Sequence, residues 1–268
     1  MAKIRYFSKS TDDKLIADEK KINNADFINI GNPISVYRDG VEQTLSSMYL
    51  KITTLVDFLT ISLKSLQSNK RFTIAYYGCG NGSNARQILR LVNSINNKIS
   101  LRVVYIDVSS ELLYEADRRS NFMKLNSNID FDWELVQIDL SDASSISKFT
   151  DYFIGNFNFS FSLKCFLNTF IKINRDIARM ISLCSSKDSV FLNQFYGHNL
   201  YSSFKQLIKL IIGKRYSNSI YLDRVLANLY PKYNGFDLQY RVTSMSMSEV
   251  FKSNHFKRLS IESYYLKK

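Results

Sequence analysis

Three glycines alternate with other residues in Gly78-Cys79-Gly80-Asn81-Gly82, directly after the apolar run Phe72–Tyr77. Nine glycines serve all 268 residues, so a third of them fall within five positions. Glycine there lets a turn reach positive φ and lets a ligand approach the backbone where a Cβ would clash. The helix that follows, with Ser83 or Asn84 as its cap, offers N–H groups to a polar or anionic ligand. Two carboxylates occupy comparable places further on. Asp107 closes the apolar segment Leu101–Ile106, twenty-five residues beyond Gly82, and Asp139 closes Trp133–Ile138. An acid at the end of the second strand, about 20 residues after such glycines, is placed for the hydroxyls of a ribose. Asp107-Val-Ser-Ser-Glu111 is equally a good helix start, and both readings stay open.

These residues need a frame that brings strand ends together. Beyond residue 70 the chain alternates in the manner of βαβ units. Strands are predicted at Phe72–Tyr77, Leu101–Ile106, Trp133–Ile138, Phe157–Phe161, Val190–Phe195, Leu238–Met245 and Arg258–Tyr265. Helices are predicted at Asn84–Ile95, Ser110–Met123, Asn174–Cys184, Leu200–Ile212 and Leu222–Leu229, with a helical turn at Ser248–Ser253. The fold class is α/β: a doubly wound, mostly parallel sheet of seven strands, the last one antiparallel. Residues 1–70 read as an N-terminal helical cap or lid, with helices at Asp12–Asn23 and Gly40–Leu66. Residues 71–268 form the nucleotide-binding domain, and 197–234 a helical insertion over its active edge.

GCGNG, YIDVS and QIDLSD together resemble the class I S-adenosylmethionine-dependent methyltransferases, over roughly Phe72 to Lys268. NFSFSLKCFLNTF is similar to that family's fourth strand and turn, and FLNQFYG to its fifth strand. The resemblance implies S-adenosylmethionine as cofactor and S-adenosylhomocysteine as product. It implies that Tyr77, Gly78, Cys79, Gly80, Gly82 and Asn84 hold the methionyl part and ribose, with Ser162 nearby. Asp107 and Val108 would then meet the ribose hydroxyls, and Asp139 and Leu140 the adenine. Cys79 itself reads as a packing residue. Tyr76 and Asn158 stand where the family often has acids, and both changes remove negative charge from around a cationic cofactor. A GxGxG turn in place of GxGxxG, and only two histidines, argue against a nicotinamide enzyme.

Methyl transfer from a sulfonium needs alignment and exclusion of water more than acid–base machinery. Acceptors in this family sit over the ends of the fourth and fifth strands. Tyr196 and His198 are therefore the residues placed for acceptor contact or proton removal, with Tyr37 as a lid residue. His255 reads as structural. The turn Ser160-Phe-Ser-Leu163 lacks the D/N-P-P-Y/F motif of enzymes that methylate exocyclic amines of bases. The expected reaction is methyl transfer to oxygen or nitrogen of a small metabolite or peptide, in a biosynthetic role. Transfer of the aminocarboxypropyl group, RNA methylation and a non-catalytic binding module are the alternatives. The aromatic tract Phe149–Phe170 reads as core first and acceptor pocket second.

Composition narrows the classes. Hydrophobic content of 45% and aromatic content of 14% exclude a disordered chain. Three cysteines without CxxC spacing exclude a disulfide framework and a structural zinc site, so no metal and a cytoplasmic location are expected. The start is polar and carries no apolar leader, and Leu207–Ile212, the best apolar run, contains Lys209, so no membrane partner is expected. Net charge is +12, which favours a polyanion partner. Lysine and arginine nevertheless come in pairs at most, which leaves nucleic acid the less favoured partner. A homodimer is compatible with all of this.

Overall fold

A computed structural model describes residues 3–7, 51–66, 71–140, 142–163, 171–197, 235–245 and 259–268. An eight-stranded sheet forms the centre. Its strands are β1 (Ile4–Tyr6), β2 (Phe72–Tyr77), β3 (Leu101–Asp107), β4 (Phe131–Gln137), β5 (Phe157–Leu163), β6 (Ser185–Gly197), β7 (Phe236–Met245) and β8 (Leu259–Lys267). They lie in the order β1-β4-β3-β2-β5-β6-β8-β7. Pairing is parallel from β1 through β6 and antiparallel on both sides of β8. β8 therefore runs against all the others.

The helices are α1 (Ile52–Lys64), α2 (Ser83–Ile95), α3 (Ser110–Leu125), α4 (Ala143–Phe153) and α5 (Ile171–Cys184). β2 is buried at all six positions, as a central parallel strand covered on both faces must be. Its side chains alternate between two cores. Ile74 and Tyr76 join Leu55 and Leu59 of α1, Ile88 of α2 and Leu113 of α3. Ala75 and Tyr77 face Phe149 and Phe153 of α4 and Ile181 of α5. Each large side chain so buried contributes roughly 1.5–3 kcal/mol. The described part of the aromatic tract is core: Phe149, Phe153, Phe157, Phe159 and Phe161 are all buried. On β8, Lys267 donates its ammonium hydrogens to the carbonyls of Ser182 and Ser185 and so covers the end of α5.

Among the described residues the sheet has one strand more than the seven that the sequence pattern implied. The addition, β1, lies inside residues 1–70 and pairs with β4 at the edge. At three residues it is too short to show a period. α4 is likewise an addition: no helix was predicted over Ala143–Phe153, where Ile146, Phe149 and Phe153 share one face. Asp142 starts this helix by accepting from Ser144 N–H (3.1 Å). The helices predicted at Asp12–Asn23, Leu200–Ile212 and Leu222–Leu229, the turn at Ser248–Ser253 and the first part of Gly40–Leu66 lie outside the described residues.

Candidate functional site

The switch in strand order falls at β2, which has β3 on one side and β5 on the other. A crevice outside the carboxyl ends of the strands opens at such a point in a doubly wound sheet. The glycine turn sits there. Gly78, Gly80 and Gly82 have φ of 60°, 53° and 73°, the left-handed region that residues with a Cβ avoid. Cys79 N–H donates to Ile106 O (3.1 Å), which ties the turn to β3. Cys79 is buried, as a packing residue would be.

Gly82 serves helix packing. A Cβ at this position would stand 2.9 Å from Cβ of Ala116 and 3.0 Å from the Tyr105 ring. Gly82 is also the N-cap of α2, without any side-chain cap. That corrects the expectation that Ser83 or Asn84 would cap this helix. Ser83 N–H is satisfied instead by Asn81 Oδ1 (3.2 Å).

Asp107 joins three pieces of backbone. Its Oδ2 accepts from Gly80 N–H (2.8 Å) and its Oδ1 from Ser109 N–H (3.0 Å). Its own carbonyl accepts from Ile138 N–H (3.0 Å). The helix start is therefore real, although the N-cap of α3 is Ser109, whose Oγ accepts from Leu112 N–H (3.3 Å). Beyond these backbone N–H groups the two carboxylate oxygens keep lone-pair capacity for a ligand hydroxyl. Burial raises the Asp107 carboxyl above its ordinary value, against the pull of the N–H groups of Ser109, Gly80 and Val108.

The end of β4 closes the group. Gln137 Nε2 donates to Val108 O (2.9 Å) across the strand ends, a tether the sequence did not announce. Asp139 is half-buried just beyond β4, and its carbonyl accepts from Asp142 N–H (3.1 Å). Leu140 packs on the core beneath α4. Gly78 to Gly82, Asp107, Val108, Asp139 and Leu140 are thus gathered along one edge of β2, β3 and β4.

Two residues standing where acids are common differ in location. Tyr76 is buried under the turn, its hydroxyl accepting from Asn84 Nδ2 (3.0 Å) and its ring stacked on Phe161 at 4.1 Å. Asn158 sits at the opposite end of the sheet. Its Oδ1 accepts from Thr73 N–H (2.9 Å) and its Nδ2 donates to Ser186 Oγ (3.3 Å). Five residues of strand, about 16 Å, separate Thr73 from Gly78. The expectation that Asn158 removes charge from the cofactor's surroundings is corrected: it joins β2, β5 and β6 far from the turn.

On the β5 side, Ser162 is in register with Tyr77 on one side and Asn193 on the other. All three are buried. Ser162 Oγ and Asn84 Oδ1 have no hydrogen-bond partner among the described residues. Buried polar atoms in that state at a crevice are acceptors that a bound polar molecule can satisfy. Burial holds the Tyr77 phenol well above its usual range, reinforced by Cys184 and opposed by the neighbouring Ser160 hydroxyl, so it stays protonated. Tyr196 is the next-to-last residue of β6, paired through its backbone with Ser260. His198, Tyr37 and His255 lie outside the described residues.

The order β4-β3-β2-β5-β6-β8-β7, with β8 alone reversed and a glycine turn after β2, decides the architecture. The fold is that of the class I S-adenosylmethionine-dependent methyltransferases. A methyltransferase of this cofactor class from Methanosarcina mazei has it at 15% identity, over 76% of this chain and 95% of its own, with a TM-score of 0.53. The DszA carbon methyltransferase is 13% identical over 81% of this chain and 53% of its own, with a TM-score of 0.51. A candidate sarcosine dimethylglycine methyltransferase from Galdieria sulphuraria is 12% identical over 84% and 86%, with a TM-score of 0.50. No family model matches the sequence, and no curated protein matches it. The likeness is one of fold. Among the described residues no helix is long and apolar enough to cross a membrane, and no three acidic, histidine or cysteine side chains converge as a metal site would require.

Proposed function

We propose that this chain is an S-adenosylmethionine-dependent methyltransferase acting on oxygen or nitrogen of a small metabolite or peptide. The observation that carries it is the Asp107 carboxylate, fixed by Gly80 and Ser109 N–H groups at the switch point with lone pairs to spare. The residues present fit the cofactor. Asp107 would accept from the ribose hydroxyls, the Gly78–Gly80 backbone would support the methionyl part, and Asp139 with Leu140 would border the adenine. Asn84 Oδ1, a buried acceptor, would take the place of an acid toward the ammonium, since Tyr76 supplies no charge. The bound cofactor supplies an activated methyl group; the chain has to align the acceptor and keep water out.

The β5 and β6 ends support a polar acceptor. Tyr77, Ser162 and Asn193 form one buried polar row there, and the turn after β5 has no proline-containing motif for base amines. Tyr196 and His198, at and just past the end of β6, are assigned to acceptor contact and proton removal. The test is isothermal titration of the whole chain with S-adenosylhomocysteine. Saturable binding that Asp107→Ala weakens more than Asp130→Ala supports the reading. No binding at millimolar ligand sinks it.

A further inference from the structure

Three peptide units hold the Asp107 carboxylate, and each is fixed at its other end as well. In a trans peptide the C=O and N–H point opposite ways, so anchoring one end aims the other. Gly80 N–H donates to Oδ2 (2.8 Å), and the carbonyl of that same unit, Cys79 O, accepts from Gly82 N–H (3.0 Å). Val108 N–H also draws on the carboxylate, and the carbonyl of its unit, Asp107 O, accepts from Ile138 N–H (3.0 Å). Ser109 N–H donates to Oδ1 (3.0 Å), and the carbonyl of its unit, Val108 O, accepts from Gln137 Nε2 (2.9 Å). Backbone holds the first two carbonyls. Among the described residues a side chain holds the third, and a change of residue type can therefore release it. Gln137 is buried on β4, in register with Asp107 on β3 and with Tyr6 on β1. Its backbone carbonyl accepts from Phe7 N–H (3.0 Å), so the segment carrying β1 secures the strand end from which the amide reaches. Hydrogen bonds at the two ends of one peptide unit polarise each other, so the amide strengthens the Ser109 donor as well as aiming it.

We propose that Gln137 is a positioning residue for the cofactor crevice, its amide fixing the Val108–Ser109 peptide so that the Asp107 carboxylate stays turned toward the ligand. The ligand in question rests on the reading that S-adenosylmethionine binds at the glycine turn. Without the amide the Val108–Ser109 peptide is free to rotate, Ser109 N–H leaves Oδ1, and the carboxylate loses one of the supports that aim it. In this role Gln137 acts through the backbone and not on the ligand.

The experiment takes two readouts on the full chain. One is calorimetric affinity for S-adenosylhomocysteine; the other is NMR titration of the Asp107 carboxyl carbon without ligand, the signal assigned by its loss in Asp107→Asn. Gln137→Met keeps the length of the side chain and removes the donor; Gln137→Asn keeps the amide and shortens its reach. Each should weaken S-adenosylhomocysteine about threefold to tenfold, the loss of one hydrogen bond. Each should also move the Asp107 titration upward, because the Ser109 N–H that favours the charged form is loosened. Trp133→Phe removes another side-chain hydrogen bond from β4, that of Nε1 to Asp117 Oδ1 (2.8 Å), and should leave both readouts unchanged. An unmoved Asp107 titration in the Gln137 variants overturns the proposal, as does an equal shift in Trp133→Phe. Unchanged affinity beside a moved titration also overturns it, since the hold on Asp107 would then serve no ligand. If the unaltered chain ignores S-adenosylhomocysteine while the titration moves, the methyltransferase reading falls and the hold of Gln137 on Asp107 is supported.

Discussion

Asp107 and Asp132 lie on neighbouring strands, at opposite ends of the sheet, and their carboxylates are held in opposite ways. Asp132, near the start of β4, is ringed by cations: Lys124 Nζ at 2.9 Å and Arg71 at 3.1 Å. Lys124, first through its hydrogen bond, lowers the Asp132 carboxyl below its ordinary value. Asp107, at the end of β3, is held by backbone N–H groups, with no ion pair among the described residues, and burial raises it. A carboxylate surrounded by cations has spent its charge on the protein. One positioned by backbone dipoles keeps charge and lone pairs for something else. The amino edge of the sheet is built for cohesion and the carboxyl edge for reception.

The largest break in this contrast should come from the turn that Asp107 holds. Gly82→Ala forces a Cβ into the Ala116 contact at a φ of 73°, so urea denaturation should show a loss of about 3 kcal/mol. Asp107→Asn removes the charge from two hydrogen bonds. S-adenosylhomocysteine affinity, read by calorimetry, should fall about tenfold to a hundredfold. Tyr76→Phe leaves the buried Asn84 amide without its acceptor, and thermal unfolding should record about 1 to 2 kcal/mol of destabilisation. Asp132→Asn, at a half-exposed surface pair, should cost under about 1 kcal/mol and leave cofactor affinity unchanged. Equal effects of the two Asp→Asn changes on affinity would erase the distinction between the edges.

Titration sharpens the same comparison. The folded value of Asp107 is raised, so the folded state holds its proton more tightly than the unfolded chain does. Its contribution to stability is present at low pH and declines as pH rises through the window between the ordinary and raised values. Asp132 has a lowered folded value, so its contribution is present above the ordinary value and is lost as pH falls through the lowered one. In the proposed function, binding of S-adenosylhomocysteine uses the Asp107 carboxylate. On acidification across about pH 7 to 4, affinity should start to fall above the ordinary aspartate range. Asp107→Asn should flatten that profile, and Asp132→Asn should not.

Much of this was legible because it is local. Phe72–Tyr77 reads as a buried strand from its unbroken apolar run, and it is one, residue for residue. Asp107 and Asp139 stand at strand ends because the strands before them are equally plain. What escaped depends on contacts distant in sequence. The hold of Asp107 on Gly80 spans twenty-seven positions, and the tether from Gln137 to Val108 twenty-nine. Tyr76 reads as a lost acid until Asn84 is seen against it. Asn158 was linked to the cofactor by the family resemblance alone, although the second residue of a parallel strand reaches the amino edge, away from the glycine turn. β1 and α4 were missed for want of length and of a visible apolar stripe.

The place of β8 has a consequence for how the molecule is made. β7 precedes β8 in the chain but, among the described residues, has no neighbour in the sheet except β8, which also covers the free side of β6. A ribosome delivering residues in order completes the strands from β1 to β6 while the outer side of β6 still has open hydrogen-bonding groups. β7 must then wait unpaired for the stretch that will sit inside it. Final closure is therefore an insertion step, and a nascent chain stalled before residue 259 would present a sticky border to its neighbours on the polysome.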